Sequence, residues 1–309
     1  MANKNVVTIM TINLILICFL LVGCGSKKFI VSIPELCIPM SGSDLPEINY
    51  SIELKDLEKL PQTANIYEFT SEQPDAISEV VQIAKLFDIS VDATDIQYYD
   101  DYLTYDNGSF LIDYEIPTSM WSIRNMSEKT DKSNELPSDE EAITIARNFL
   151  VEKELYDERF SIESVVTQYS GSELDSTYSP SFKTVYFYPT IDNYPILGVS
   201  RIIVKIDTNG QVAELMRYYK DFELAGVIEL SSPLEFIEGI KSNAYSTNIS
   251  PDAVSARITD VKLRYWEDAG SFEEQPYLQP VWVFWGESTQ ADGTVEEFDV
   301  VVQAAKNKN

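Results

Sequence analysis

Arg201-Ile202-Ile203-Val204-Lys205-Ile206-Asp207-Thr208-Asn209-Gly210 reads as one strand running into one tight turn. Ile202, Val204 and Ile206 alternate with Arg201, Ile203 and Lys205, a period of two that buries one face of a strand. Asn209-Gly210 supplies the positive φ that a short hairpin needs. The same grammar appears upstream, where Phe110, Ile112, Tyr114 and Ile116 alternate with Leu111, Asp113 and Glu115 behind the turn Asn107-Gly108. It appears again near the end of the chain at Asp292-Gly293. The strands are therefore expected to form antiparallel meanders.

Between the meanders the period lengthens. From Pro74, the residues Ile77, Val80, Val81, Ala84 and Phe87 form one helical stripe. Ser138 with Glu141 makes a capping box ahead of Ile143, Ala146, Phe149 and Leu150. Ser232, Pro233 and Glu235 repeat the signal ahead of Ile237 and Ile240, with Leu234 also facing inward. A helix followed by antiparallel strands, written three times, predicts an α+β fold of repeated helix-plus-antiparallel-sheet modules. The polar run 127–135 ending at Pro137 is the expected boundary. The division is then 1–23 signal peptide, 24–50 tether, 51–130 an N-terminal α+β module, and 131–309 a C-terminal α+β region of two helix-plus-meander units.

The first residues carry one charge, Lys4, and then a mostly apolar stretch from Val6 to Gly23 whose uninterrupted core is Leu14 to Val22. That core has the length of a signal-peptide apolar region and is short for a membrane span, which wants about 20 residues. Leu21-Val22-Gly23-Cys24 resembles the lipobox of bacterial lipoproteins. The resemblance implies cleavage after Gly23 and a diacylglycerol on the Cys24 thiol, so that the membrane is a partner through that lipid and the chain sits on the outer face of the cytoplasmic membrane. The alternative is an uncleaved anchor helix in which Cys24 is a small buried residue. Cys18 lies in the signal, and lipidation of Cys24 leaves Cys37 alone, so no intrachain disulfide forms. The chain carries 23 basic and 50 acidic residues, a net charge of −27. Such a balance argues against nucleic acid as a partner, because that binding rests on neutralising phosphates, and against adhesion to anionic lipid.

No histidine occurs in the chain, which excludes His-based nucleophile systems, His-ligated zinc and His as general base. Gly-x-Ser-x-Gly, Ser-x-x-Lys and the Gly-rich phosphate and dinucleotide loops are absent as well. Carboxylate chemistry stays formally open, but with 50 acids a pair can be drawn almost anywhere. Asp207-Thr208-Asn209-Gly210 is too short before its glycine for a calcium loop, and Asp100, Asp101 and Asp106 read as a solvated face. No catalytic residue, metal or cofactor is expected. The aromatic residues Tyr265, Trp266, Trp282 and Trp285 are the candidate partner surface. On a strand Trp282 and Phe284 point one way, while Val281, Val283 and Trp285 point the other, so one of two apolar faces must be covered or must bind.

Several segments carry a wider resemblance: Val185 to Pro189, the turn Asp192-Asn193-Tyr194-Pro195, the strand Gly198 to Asp207, the turn Asn209-Gly210, and Leu278-Gln279-Pro280-Val281-Trp282-Val283-Phe284. From about residue 138 onward they resemble the extracytoplasmic PepSY-like proteins of the YycH/YycI type, regulators of a cell-envelope histidine kinase. The resemblance implies a helix packed on a curved antiparallel sheet, repeated, and regulation through protein–protein contact without catalysis. Those regulators are usually held by a transmembrane helix, unlike a lipid-anchored chain. The expectation is a non-enzymatic surface lipoprotein that binds or regulates another envelope protein. The alternatives are a carboxylate-dependent cell-wall glycan hydrolase and a solute-binding lipoprotein.

Overall fold

The computed structural model describes residues 30, 32–36, 38, 48–70, 75–126, 135–172 and 177–306. The signal, Cys24, Cys37 and the polar run 127–134 lie outside these residues.

In chain order the first elements are β1 (Asn49–Ile52), β2 (Thr63–Phe69), helix α1 (Ala76–Leu86), β3 (Gln97–Tyr99), β4 (Tyr102–Asp106), β5 (Phe110–Glu115) and β6 (Met120–Asn125). Helix α2 (Asp139–Glu152) follows, then β7 (Ile162–Ser172), β8 (Thr177–Tyr188), β9 (Thr190–Ile191), β10 (Tyr194–Gly198), β11 (Arg201–Ile206), β12 (Val212–Tyr218) and β13 (Phe222–Glu229). The chain closes with the short α3 (Ile237–Lys241), β14 (Ser246–Thr247), β15 (Ala253–Glu267), β16 (Tyr277–Gln290) and β17 (Val295–Gln303).

The α+β reading, with repeated helix-plus-antiparallel-sheet modules, is overturned. Strands take up 49% of the described residues against three short helices, so the protein is mostly β and is organised by two large sheets. One is an eight-stranded antiparallel sheet in the order β3-β4-β5-β6-β12-β11-β8-β7. The other has nine strands along the path β13-β2-β16-β15-β10-β9, with β1 on β15, β17 on β16 and β14 on β17, and it is mixed because β1 and β10 run parallel to β15.

Long-range pairing defeats the repeat. β6 precedes the polar run and β12 follows α2, yet they pair from Arg124↔Glu214 to Trp121↔Arg217. A single sheet thus draws strands from both sides of residues 127–137. Helices α1 and α2 also share that sheet, where Val80, Ala84, Ala146 and Leu150 pack on Ile112, Val204 and Ile206. Each fully buried branched side chain there stabilises by about 1.5–3 kcal/mol.

The third helix signal is real but does not propagate. Ser232 and Glu235 form their capping box, then give one 3-10 turn and only five α-helical residues. The left-handed Asn243 turns the chain back, and Tyr245 then packs so close to Gly239 that a Cβ there would stand 2.4 Å from its ring. The turns are read correctly in place and differently in detail. Gly108, Gly210 and Gly293 carry the positive φ, whereas the residues before them do not, as in hairpins closed through one left-handed glycine. Asp192-Asn193, with both φ positive, is the two-residue turn, joining β9 to β10. Asp207 is fully buried and its Oδ1 accepts the N–H of Asn209 and Gln211, so its carboxylate closes the turn.

Candidate functional site

β15 and β16 form the longest ladder in the molecule, and their two faces separate the four aromatic candidates. Tyr265 and Trp282 face inward. Tyr265 is fully buried beside Tyr67, Ile196 and Leu278, and its hydroxyl donates to the Asn65 carbonyl at 2.9 Å. Trp282 is 1% exposed, and its indole N–H donates to the Ser231 carbonyl at 2.9 Å. Both belong to the core, where aromatic burial and a satisfied polar tip go together.

Trp266 and Trp285 face outward and are half-buried around Val281, Val283 and Val301. The described residues of the tether interval cover part of this face. Leu36 packs on the three valines, its N–H donates to Gln303 Oε1, and the Pro34 carbonyl accepts from the side-chain amides of Gln279 and Gln303. Past this strap Trp285 lies between two cations. Lys262 Nζ stands 5.4 Å and Arg264 Cζ 5.1 Å from its ring, positions in which the ring quadrupole attracts positive charge. The adjoining edge is blunted. On the edge of β15 opposite β16, no strand among the described residues pairs with 259–264, between β1 and β10, and there the N–H of Val261 goes to Asp260 Oδ1 while Arg264 Nη1 donates to the Leu263 carbonyl.

Inside the junction of the sheets lies a polar knot. Lys220 is fully buried, its Nζ donates to the Gly270 carbonyl at 2.6 Å, and its backbone N–H donates to Glu267 Oε1 at 2.8 Å. Burial pushes the Glu267 carboxyl up to about 7, against the pull of the Lys220 charge. Gly198 sits against this residue so closely that a Cβ would meet the Glu267 carbonyl oxygen at 1.9 Å.

A cleft of about 1080 Å³ opens between α1, the end of α2 and the eight-stranded sheet. Glu79 of α1, Tyr114 of β5, Trp121 of β6 and Arg217 of β12 reach it together with Ser119 and Phe272 from the β5–β6 and β15–β16 loops. The guanidinium carbon of Arg217 stands 3.8 Å from the centre of the Tyr219 ring, with Nη1 donating to the Tyr219 carbonyl and Nη2 to Asp221. Burial works against its charge, but Tyr219 and Asp221 outweigh that and hold it firmly protonated. Burial raises the Tyr114 hydroxyl, which also feels Ser119, Glu79 and Arg217 around it. No local motif announces these residues. The one signal is Arg217 itself, a cation on the inward face of β12 in line with the buried Leu215 and Tyr219.

Among the described residues no cluster of three or more His, Cys, Asp or Glu side chains could hold a metal ion. No helix among them is long and apolar enough to cross a membrane. Asp100, Asp101 and Asp106 are exposed but lie at opposite ends of β4, the first two in the β3–β4 turn and Asp106 in the β4–β5 turn, where its Oδ1 accepts the N–H of Gly108.

No family model matches the chain. No curated protein matches it significantly. Among solved structures, it is similar to an uncharacterized protein from Eubacterium rectale, determined at 1.45 Å resolution, with 12% identity over 85% of this chain and 90% of that one and a TM-score of 0.45.

Proposed function

We propose that this chain is a lipid-anchored surface protein that binds or regulates another protein of the cell envelope, without catalysis of its own. The observation that carries the reading is Trp285, held half-buried between Lys262 and Arg264 on a sheet face that the strap leaves partly open. Trp and Arg are the residue types that dominate binding hot spots, and two cations there are notable in a chain of net charge −27. They suit a partner that presents carboxylates beside an apolar patch. Leu21-Val22-Gly23-Cys24 supplies the anchor, and the strap then joins the anchor side of the chain to the same face. The regulatory role implied by the YycH/YycI resemblance enters here as part of the proposal, for function and not for fold. Replacing Cys24 with Ser should move the protein from the membrane to the soluble fraction with its unfolding transition unchanged. A Cys24→Ser protein that stays in the membrane fraction would replace the lipid with an anchor helix.

A further inference from the structure

The cleft beside α1 is separate from the Trp285 face and unused by the reading above. It has the concavity of a ligand site, an apolar wall of Ile83, Leu155, Trp121 and Phe272, and a few polar groups that converge from different elements. Those polar groups have opposite charge. Arg217 is pinned against the Tyr219 ring, and its two hydrogen bonds, to the Tyr219 carbonyl and to Asp221, engage two of a guanidinium's five N–H donors. Glu79, on the first turn of α1, has no ion-pair partner among the described residues. Both groups line the cleft together with Tyr114. Of the other two cations that line the cleft, Lys153 is matched by Asp88 at 3.8 Å and Glu152 at 3.7 Å, while Lys85 stands in the last turn of α1.

We propose that this cleft binds a short peptide by its charged ends, the carboxylate on Arg217 and the ammonium on Glu79. A fixed guanidinium fork suits a carboxylate, and a carboxylate at a cleft wall suits an ammonium. The volume exceeds what a single amino acid fills and accommodates a peptide of a few residues, whose side chains would lie along the apolar wall. Asp221 has a fixed part as the counter-ion of Arg217, which it orients.

The test uses the full-length protein in detergent and isothermal titration calorimetry with three probes: tri-alanine, N-acetyl-tri-alanine and tri-alanine amide. Tri-alanine should bind in the millimolar range or tighter, and each blocked form should bind at least tenfold more weakly, since each loses one charge-assisted contact. Glu79→Gln preserves the size of a half-buried side chain on the first turn of α1 and should keep the fold while abolishing the preference for the free amine over the acetylated peptide. The carboxylate end is read from the amide probe, so no Arg217 variant that unfolds the sheet is needed. Failure of tri-alanine to bind at millimolar concentration would overturn the proposal. So would equal binding of the blocked peptides, or an unchanged amine preference in Glu79→Gln. The same titration on Cys24→Ser protein should give the same affinities, so a failed anchor and a failed cleft are told apart.

Discussion

Trp282 and Trp285 stand three residues apart on one strand and have opposite situations. The first is enclosed by Ile228, Leu263, Phe284 and Val300, its only polar atom satisfied by Ser231. The second rests on valines with two cations against its ring and solvent beyond. The period of two that separates them is a property of the sequence. What covers each face depends on elements far away, namely β2, β13 and the strap on either side of the ladder. Residue type alone therefore says little about role, because the same indole is structural on one face and available on the other.

The contrast can be broken by four perturbations, the largest first. Trp282→Ala leaves a cavity in one of the two large apolar clusters and should cost about 3–5 kcal/mol in denaturant unfolding. A loss under about 1 kcal/mol would mean the inner face is not the core.

Glu267 tests the inner end of the same ladder through pH. Its folded pKa of about 7 lies above the ordinary 4.5, so the folded state binds the proton more tightly than the unfolded state. The stability this contributes is fully present below about pH 4.5 and is lost as pH rises through 7, a fall on the order of 3 kcal/mol. Unfolding midpoints across that window should decline in the native protein and stay flatter in Glu267→Gln. Equal slopes would show that Glu267 is ionised when buried.

Leu36→Ala probes the cover of the outer face. Leu36 is 8% exposed on Val281, Val283 and Val301, and its truncation should cost about 2 kcal/mol. A negligible loss would mean that the strap does not stay on the sheet. Trp285→Ala should have the smallest effect on stability, about 1 kcal/mol or less, the worth of an exposed cation–π contact. Its effect should appear in partner capture instead.

How much of this was legible in the sequence depends on range. Local signals were: the caps at Ser138 and Ser232, the alternation in β5 and β11, and the glycines at 108, 210 and 293 all sit where the residues place them. The α+β module reading failed because a capping box starts a helix without setting its length, and the left-handed Asn243 closes the third one after five residues. It failed also because no local feature says that β6 pairs with β12 across the intervening helix. The aromatic candidates divided for the same reason. Alternation gives two faces to the ladder, but only the assembled sheet shows that Tyr265 and Trp282 share the buried one and that Leu36 and Ile38 lie on the other. The cleft was out of reach, because Glu79, Tyr114 and Arg217 come together only when α1 is laid on the eight-stranded sheet.

The most direct test of the outer face as a recognition surface is site-specific photocrosslinking in intact cells. A crosslinking amino acid at position 285 is compared with one at Tyr169, which is 62% exposed on the other sheet. Position 285 should capture one discrete envelope protein that position 169 does not, and the product should vanish when Lys262 and Arg264 are both changed to Glu in a protein that still folds. No product at 285, or the same set of products from both positions, would contradict the assignment of that face to a partner.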